Sequence, residues 1–460
     1  MRPDRRAGVL LLAAWASWAG AQEAGDAPAA TDPGATGDTV LDRYAARGLE
    51  SAPRNPILPA LIGALGGLAI DAFNGEALQS SDAISAKDDP RQIKQPDDTF
   101  ELSRRWGALP KISFRTGSGQ FGANVFFRQG QFAVVGGFLL GSSDDYENSL
   151  SFSWQKPVSE TRVLRIGLEV LRVSDTKHRF YGIGAHPETD PRSFFLPGAA
   201  TDYAIYRHES ERVAGIAGLR LSPKLEVFLT GVVLKQQAAT VAGDTGPAAF
   251  DKVFDVAQLP GVATPSKQFS TELSANYDTR RYRGWLEPGY SVSAYAGPSL
   301  GVAGDPSGAL RLGSDLAAYL PVLRHDRLIV PRITLDTLTN LRDGVPINFT
   351  DFPRQLPFRG VNSATNLLRQ DKVVVNGSVE YQWPLARSLS GALFAQTVMV
   401  GPTLARLTSS NAPWNGGLKV ELHSRDAPVM AAWATWGPNA FYAWFQIGIV
   451  ERSNDRWRWY

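Results

Sequence analysis

The amino-acid sequence predicts an all-β fold: a transmembrane antiparallel β-barrel of about 16 strands, preceded by a mostly irregular N-terminal extension. Three observations predict this fold. Residues 1–21 have the pattern of an export signal, apolar and polar residues alternate from about Trp106 onward, and no apolar run beyond Trp106 has the length that a spanning helix needs. Strands that cross a bilayer must close into a barrel, because hydrocarbon tolerates no unpaired strand edge.

The composition excludes several classes of protein. The chain has 460 residues, with 47 Lys+Arg and 45 Asp+Glu. Removing residues 1–21 takes away three arginines and one aspartate, which leaves 44 residues of each sign. This balance argues against a nucleic-acid-binding protein, a class that usually carries a basic excess. The absence of cysteine excludes disulfide scaffolds, cysteine-ligated zinc and thiol catalysis.

Residues 1–21 are interpreted as a cleaved signal peptide. Arg2, Arg5 and Arg6 form a basic start, and an apolar run follows over residues 8–20. Small residues before Ala21 favour cleavage after that position, because the apolar run is too short to span a membrane. The alternative is a short N-terminal anchor. Export predicts a location in the outer membrane of a Gram-negative cell.

Residues 22–105 are predicted to form a flexible periplasmic extension with one short apolar helix. The segment Gln22–Thr39 is rich in Ala, Gly, Asp and Pro, as flexible tethers are. The segment Asn55–Phe73 is apolar, but Pro59, three glycines and Asp71 weaken it as a spanning helix. We therefore expect this segment to pack against or inside something larger.

Two-residue alternation carries the prediction of a barrel. In Ser149–Gln155, Leu150, Phe152 and Trp154 lie on one face of a strand, and polar side chains lie on the other. The polar faces carry charges and amides, as a wet lumen does, and aromatic residues such as Trp154 and Trp383 lie near the ends of apolar runs, as in an interfacial girdle. The same alternation recurs at residues 161–173, 272–278, 310–320, 372–383 and 441–450.

The barrel is predicted to occupy residues 106–460. Counting the alternating runs gives about 16 strands, since single-chain bacterial barrels have an even number. The runs at 202–209 and 212–221 count as separate strands, and 428–450 is long enough for two strands that turn at Gly437-Pro-Asn439. Surface loops are predicted for the long connections at about 174–201, 236–269 and 337–371, because short turns face the periplasm in such barrels.

Three fragments of this region resemble a known superfamily. Tyr181-Gly-Ile-Gly184 ends a strand in a glycine-rich loop, Pro357-Phe-Arg-Gly-Val361 lies inside a long loop, and the strand Asp371–Leu385 follows it. In order and spacing they resemble the BamA/TamA-like surface-antigen barrels of the outer-membrane assembly and translocation superfamily. The segment Ala108-Leu-Pro-Lys-Ile-Ser-Phe114 is similar to the first strands of members without an N-terminal domain array. The resemblance covers roughly residues 106–460.

The resemblance implies a barrel whose sixth outer loop folds back into the lumen, where its arginine pairs with acidic residues of the following strands. We call this contact between loop and lumen wall the loop lock. Carried over to this sequence, its loop residues are Arg359 and Gly360, and Glu380 is a candidate partner because it lies on the polar face of its strand. Gln396 stands where the family has Asp, and Val398 stands where it has Gly. A glutamine supplies no charge, so the lock is weaker or relies on Glu380. The alternative is that Arg359 is a solvated loop residue.

The N-terminal region departs from the family pattern. Assembly factors of the family carry periplasmic POTRA domains, and residues 22–105 show no strand–helix–helix–strand pattern of that kind. The apolar segment 55–73 either plugs the lumen, as an N-terminal helix does in two-partner secretion transporters, or lies at a surface. At the other end, Tyr460 fits the aromatic terminus of such barrels, whereas Arg458 interrupts the apolar alternation.

Insertion or translocation of protein, or of another polymer, at the outer membrane is the function that the resemblance implies. The expected partners are outer-membrane lipids and client outer-membrane or secreted proteins; the chain is expected to be a monomer that binds no nucleic acid and no cofactor. One alternative is a passive, porin-like channel or a structural barrel, and another is an outer-membrane hydrolase.

Catalysis is not predicted. None of the five histidines has metal-ligand spacing on a helix, and the chain has no Gly-x-Ser-x-Gly motif. Paired charges on one strand, Arg311 with Asp315 and Arg165 with Glu169, are interpreted as ion pairs of the lumen wall rather than as acid–base dyads.

Overall fold

The structure, a computed structural model, describes most of the barrel region. It describes residues 106–447 except 116–117, 130, 142–144, 160–161, 242–243, 245, 263, 281–286, 323, 354–369, 387–388, 410–411, 424–427 and 438–439. The predicted signal peptide, the predicted extension, Arg359, Gly360 and residues 448–460 lie outside the described residues. Within them, no helix is both long and apolar enough to cross a membrane.

The described residues form sixteen antiparallel strands in one closed barrel. The strands are β1 (Trp106–Arg115), β2 (Ser118–Gln129), β3 (Phe132–Gly141), β4 (Tyr146–Pro157), β5 (Val163–Phe180), β6 (Ala204–Ser222), β7 (Leu225–Ala239), β8 (Ser266–Asp278), β9 (Gly289–Gly301), β10 (Gly308–Val322), β11 (Arg324–Asn340), β12 (Val373–Ala386), β13 (Leu389–Gly401), β14 (Trp414–His423), β15 (Pro428–Gly437) and β16 (Ala440–Ile447). Each strand pairs with its neighbours along the chain, and β1 pairs with β16 to close the barrel. The predicted fold class is confirmed.

One predicted strand boundary is wrong. Residues 202–209 and 212–221 do not form two strands but one, β6, which runs without interruption from Ala204 to Ser222. The charged stretch around Glu211 looks like a turn in the sequence, yet its register with β5 and β7 is continuous. The prediction that 428–450 holds two strands is confirmed for the described residues, as β15 and β16.

The outer wall of the barrel is apolar. On β4, Leu150 and Phe152 point outward and are exposed, whereas Ser151 and Ser153 face the lumen. Other exposed apolar side chains of the wall include Ile166, Leu168, Val213, Leu229, Leu273, Leu316, Ile333 and Leu393. A continuous apolar belt on a closed barrel is stable in hydrocarbon and not in water, so the barrel is a transmembrane one.

The lumen wall carries paired charges, as predicted, but the predicted partners are wrong. The pairs are Arg165–Glu226, Arg220–Glu226, Arg212–Glu169, Arg311–Asp336, Arg332–Asp315 and Lys419–Glu380. Arg311 does not pair with Asp315, and Arg165 does not pair with Glu169. Residues four apart on a strand share a face but lie about 13 Å apart. Facing residues of neighbouring strands lie about 5 Å apart, so each charge finds its partner across strands.

The three longest described connections all lie at one end of the barrel. We name them loop A (residues 181–203, after β5), loop B (240–265, after β7) and loop C (341–372, after β11). Each follows an odd-numbered strand, so all three emerge at the same end, and most connections at the opposite end are short. By the rule that short turns face the periplasm, this end is the outer one. The predicted surface loops are thus confirmed as connections, with β5, β7 and β11 extending further than predicted.

Glycine lets large aromatic rings lie flat against the lumen wall. Gly218 on β6 faces Phe228 on β7, and a Cβ added at Gly218 would lie 2.5 Å from the Phe228 ring. Tyr295 covers Gly313 between β9 and β10 in the same way. Such aromatic–glycine pairs bury the ring against backbone and fix the strand register.

Replacing Gly218 tests this packing. We expect Gly218→Ala to lower the free energy of unfolding by roughly 1–3 kcal/mol, because the new methyl group overpacks the site beside Phe228. Gly215→Ala, also on β6, is the matched control, because its added Cβ meets no atom within 4 Å. Urea unfolding of the refolded barrel, followed by tryptophan fluorescence, measures both variants. Equal unfolding midpoints would contradict this account of the wall.

Candidate functional site

The outer mouth of the barrel is covered by a lid with its own hydrophobic core. Its buried side chains come from the lumen-facing ends of strands, such as Phe180 of β5 and Tyr206 of β6, and from the loops. The loop members of this lid core are Ile183 of loop A, Phe250, Val253, Phe254 and Leu259 of loop B, and Ile347, Phe349 and Phe352 of loop C. Phe349 is fully buried and its ring lies 4.7 Å from that of Phe180, centroid to centroid. The three loops therefore fold as one unit.

Loop A crosses the mouth. Ile183 forms a parallel bridge with Gln370, and the Gly184 N–H donates a 3.0 Å hydrogen bond to the Gln370 carbonyl, just before β12 begins. In the barrel, β12 lies seven strands from β5, which is almost the opposite wall. Ala185 then packs on Val398 and its neighbours on β12 and β13. The described part of loop A thus spans the lumen near its outer end.

The glycine-rich start of loop A makes this path possible. Gly182 and Gly184 have φ values of +82° and +89°, in the left-handed region that favours glycine. Between them Ile183 turns into the lid core, and its N–H donates a 2.8 Å hydrogen bond to Ser193 Oγ. The predicted loop at Tyr181-Gly-Ile-Gly184 is confirmed, and the two glycines explain its turn.

An arginine ties loop A to β12. Arg192 donates to both carboxylate oxygens of the fully buried Asp371 at 2.9 Å, and it also pairs with Asp190 within loop A. Burial lowers the pKa of Arg192, but the hydrogen bonds and charges of Asp190 and Asp371 outweigh it and raise the pKa above its ordinary value. The guanidinium therefore stays charged, and the bidentate pair fixes the lid to the far wall.

A carboxylate of loop C, Asp351, holds the loop on strands β7 and β8. Asp351 accepts hydrogen bonds from Ser266 Oγ at 3.0 and 2.9 Å and from Gln268 Nε2 at 2.8 Å, both on β8. Gln236 Nε2 of β7 lies 3.4 Å from the same carboxylate. Loop C is therefore fixed to β7 and β8 before it returns to β12.

Glu380, the predicted partner of Arg359, lies buried in the lumen, as its polar-face position predicted. Its carboxylate accepts a 3.1 Å hydrogen bond from Lys419 Nζ on β14 and a 2.6 Å hydrogen bond from Gln382. Lys419 also pairs with Glu421 at 3.3 Å, and all three charged side chains are almost fully buried. One cation of the barrel wall is thus shared between two buried carboxylates, Glu380 and Glu421. Sequence reasoning missed Lys419, because only the register of β12, β13 and β14 brings it to Glu380.

Gln396 belongs to a group of buried amides without hydrogen-bond partners. Both polar atoms of the Gln396, Asn376 and Asn415 side chains are buried and unpaired, and so is Ser378 Oγ. The strand register places Ser378, Gln396 and Asn415 side by side on β12, β13 and β14, all facing the lumen. Buried amides normally find partners, so this amide cluster offers donors and acceptors that no described residue uses. The predicted loop residues Arg359 and Gly360 lie outside the described residues.

The seam between the first and last strands closes the barrel. Within the described residues, β1 and β16 share four Cα pairs, from Ile112 with Ile447 to Arg115 with Trp444. Every other pair of neighbouring strands is consecutive along the chain, whereas β1 and β16 are not joined by a connection. On the lumen side of the seam, Trp444 stacks on Trp433 at 4.3 Å.

Two histidines lie near the outer end of the lumen. His178 Nδ1 is 3.1 Å from Asp175 Oδ2, and its ring is 5.1 Å from that of His208. Among the described residues, no group of three or more His, Asp or Glu side chains has the arrangement of a metal site.

Solved structures of similar fold have low sequence identity to this chain. No family model and no curated protein matches it. The chain is similar to BamA from Haemophilus ducreyi lacking POTRA domains 1-3, with 13% identity over 75% of this chain and 70% of that chain, and a TM-score of 0.47. It is also similar to CdiB from Acinetobacter baumannii, with 10% identity over 75% of this chain and 60% of that chain, and a TM-score of 0.44. The chain therefore spans less than two thirds of the CdiB chain.

Removing Lys419 tests the buried charge network. We expect Lys419→Met to lower the free energy of unfolding by roughly 3–5 kcal/mol, because it takes the cation away from two buried carboxylates. Adding Glu380→Gln and Glu421→Gln removes those charges too, so most of the stability should return. Urea unfolding in detergent measures both proteins. A Lys419→Met variant as stable as the parent would show that the network is not what holds β12 to β14.

Proposed function

We propose that the chain is an outer-membrane barrel that inserts proteins into the membrane, or passes them across it, by opening laterally between β1 and β16. The observation that carries the proposal is the closing seam between the first and last strands of a barrel whose outer mouth is spanned by loop A. Every other neighbouring pair of strands is a hairpin joined by its connection, so the seam is the pairing that can open without separating two consecutive strands. The sequence resemblance to BamA/TamA-like barrels supports the same function.

The lid makes a passive channel the weaker alternative. A porin-like protein needs an open water path along the lumen, whereas loop A crosses this lumen and is fixed to the opposite wall by Asp371. Paired charges further line the wall below. A client chain that enters from the periplasm would therefore meet a lid ahead of it and the closing seam beside it. Lateral release through the seam leaves the lid in place.

A loop lock at the amide cluster is part of this proposal. Arg359 would enter the lumen from loop C and donate to the buried oxygens of Asn376, Gln396 and Asn415, which have no partner of their own. Lys419 is shared between Glu380 and Glu421, so the guanidinium would also meet an excess of negative charge beside the amides, with Gly360 allowing the close approach. Amide acceptors in place of carboxylates make the lock weaker, and hence easier to release.

The remaining assignments are consistent with this proposal. Residues 1–21 would direct export and be cleaved, and residues 22–105 would extend into the periplasm. Outer-membrane lipids would surround the apolar wall, and client outer-membrane or secreted proteins would be the transient partners of a monomeric barrel. The proposed task requires no catalytic step and no cofactor.

A disulfide across the seam tests lateral opening. The chain has no cysteine, so Ser113→Cys with Gln446→Cys introduces one pair at directly facing positions of β1 and β16. We expect oxidation to abolish assisted insertion of a small outer-membrane barrel into liposomes, and reductant to restore it. The matched control is Asn276→Cys with Ser293→Cys, facing positions of β8 and β9. Full insertion activity of the oxidised seam variant would refute lateral opening.

Single-channel conductance tests the lid and the loop lock. In planar bilayers the refolded protein should show small, flickering conductance, because loop A spans the mouth. Three changes should each raise the conductance if the feature they remove restricts the lumen. Arg192→Gln releases the lid, Arg359→Ala removes the loop lock, and deletion of residues 22–105 removes the extension. Arg207→Gln is the control, because Arg207 pairs with Glu209 at the same rim and does not tie a loop. A large, steady conductance that is the same in the parent protein and in all these variants would favour the passive channel instead.

A further inference from the structure

A row of charged side chains follows the outer rim of the barrel on the lipid-facing side. Arg172 of β5, Glu211 of β6, Lys235 of β7 and Lys267 of β8 are direct Cα partners on successive strands. We call these four residues the rim row. They point away from the lumen, because they alternate with lumen-facing residues such as Arg212.

The rim row begins where the apolar belt ends. On each of the same four strands, the next outward-facing residue lies two residues closer to the membrane centre and is apolar. These residues also face one another across the strands: Val170, Val213, Val233 and Phe269. These four side chains are exposed by 39–51%. Since they face hydrocarbon, the rim row lies at the level of the lipid headgroups of the outer leaflet.

The charge of the rim row is positive. The row holds three cations and one carboxylate, and two of the cations contact that carboxylate: Glu211 lies 3.3 Å from Arg172 Nε and 3.6 Å from Lys235 Nζ. Both are exposed ion pairs, which contribute little and leave the cations available to another anion. In the part of the chain that the structure describes, the Lys267 ammonium has no ion pair. Arg207 and Glu209, further from the membrane, neutralise each other.

We propose that the rim row binds the phosphate groups of phosphorylated lipids in the outer leaflet. Arg172 lies 5.5 Å from the centroid of the Tyr146 ring. Tyr146, Arg172 and Lys235 line a shallow depression of the outer surface together with two carboxylates, Glu211 and the Glu209 that pairs with Arg207. Guanidinium and ammonium groups bind phosphate strongly, and here they are held at headgroup height directly above side chains that contact acyl chains. A phosphorylated lipid contacts both rows at once, with its phosphate on the rim row and its acyl chains on the apolar row. A free anion contacts only the rim row.

Such binding would fix one wall of the barrel in the membrane. Strands β5 to β8 stand away from the β1–β16 seam, so lipids held on them would resist movement of this wall while the seam opens. The proposal needs only the transmembrane barrel, and it does not depend on the proposed function.

Lipid binding by the refolded full chain in a neutral detergent tests the proposal. The probes are lipid A, which carries phosphate monoesters, and phosphatidylcholine as the comparison lipid. We expect preference for lipid A, weakened by salt, and a loss of affinity on the order of a hundredfold for the triple variant Arg172→Gln, Lys235→Gln, Lys267→Gln. Glu211→Gln should act in the opposite direction and tighten binding.

The matched control removes exposed cations from the opposite rim. Lys156→Gln with Lys224→Gln changes the same chemistry at the periplasmic end and should leave lipid A binding unchanged. Undiminished lipid A affinity in the triple variant, or an equal loss in the control, would overturn the proposal. Displacement of lipid A by inorganic phosphate at equal concentration would also overturn it, because it would reveal a site for free anions.

Discussion

The barrel depends on one constraint: in hydrocarbon, every backbone N–H and C=O group of a strand must be paired within the protein. Fifteen of the sixteen pairings join strands that follow each other along the chain, and the sixteenth joins β1 to β16. The strands with long outer extensions pair most extensively, with sixteen Cα pairs between β5 and β6. The closure on which the whole barrel depends joins the two strands that no connection holds together.

The same constraint acts on the side chains of the lumen. A charge that faces a narrow interior needs a partner, and most of these charges find it on another strand, one or two strands away. Glycine increases this reach: Gly218 on β6 lets Arg165 of β5 approach Glu226 of β7, at 3.5 Å. The lumen is thus organised by register, and balanced charge follows from that organisation.

This dependence on register explains what could be predicted from the sequence. Alternation within a strand is local, so the strands, their inward and outward faces and the long outer connections were predictable. The partners of Arg165 and Arg311 were not, because no local pattern states which residues face each other across strands. Lys419 was missed for the same reason. The prediction divided strand β6 into two, because its charged middle resembles a turn. In the barrel this charged stretch lies at the rim, just beyond the apolar belt, and the sequence does not state where along a strand the membrane ends.

The departure at Val398 now has a physical reason. The BamA/TamA-like pattern that the sequence resembles has glycine there and aspartate at the position of Gln396, which suits a charged loop lock in the lumen. In this barrel Val398, with Val374 and Val400, forms the apolar surface on which Ala185 of loop A packs. Apolar contact and the Arg192–Asp371 pair hold the lid at the outer end, where a charge at position 396 is not required. The loss of the acidic residue therefore accompanies a different means of closing the mouth.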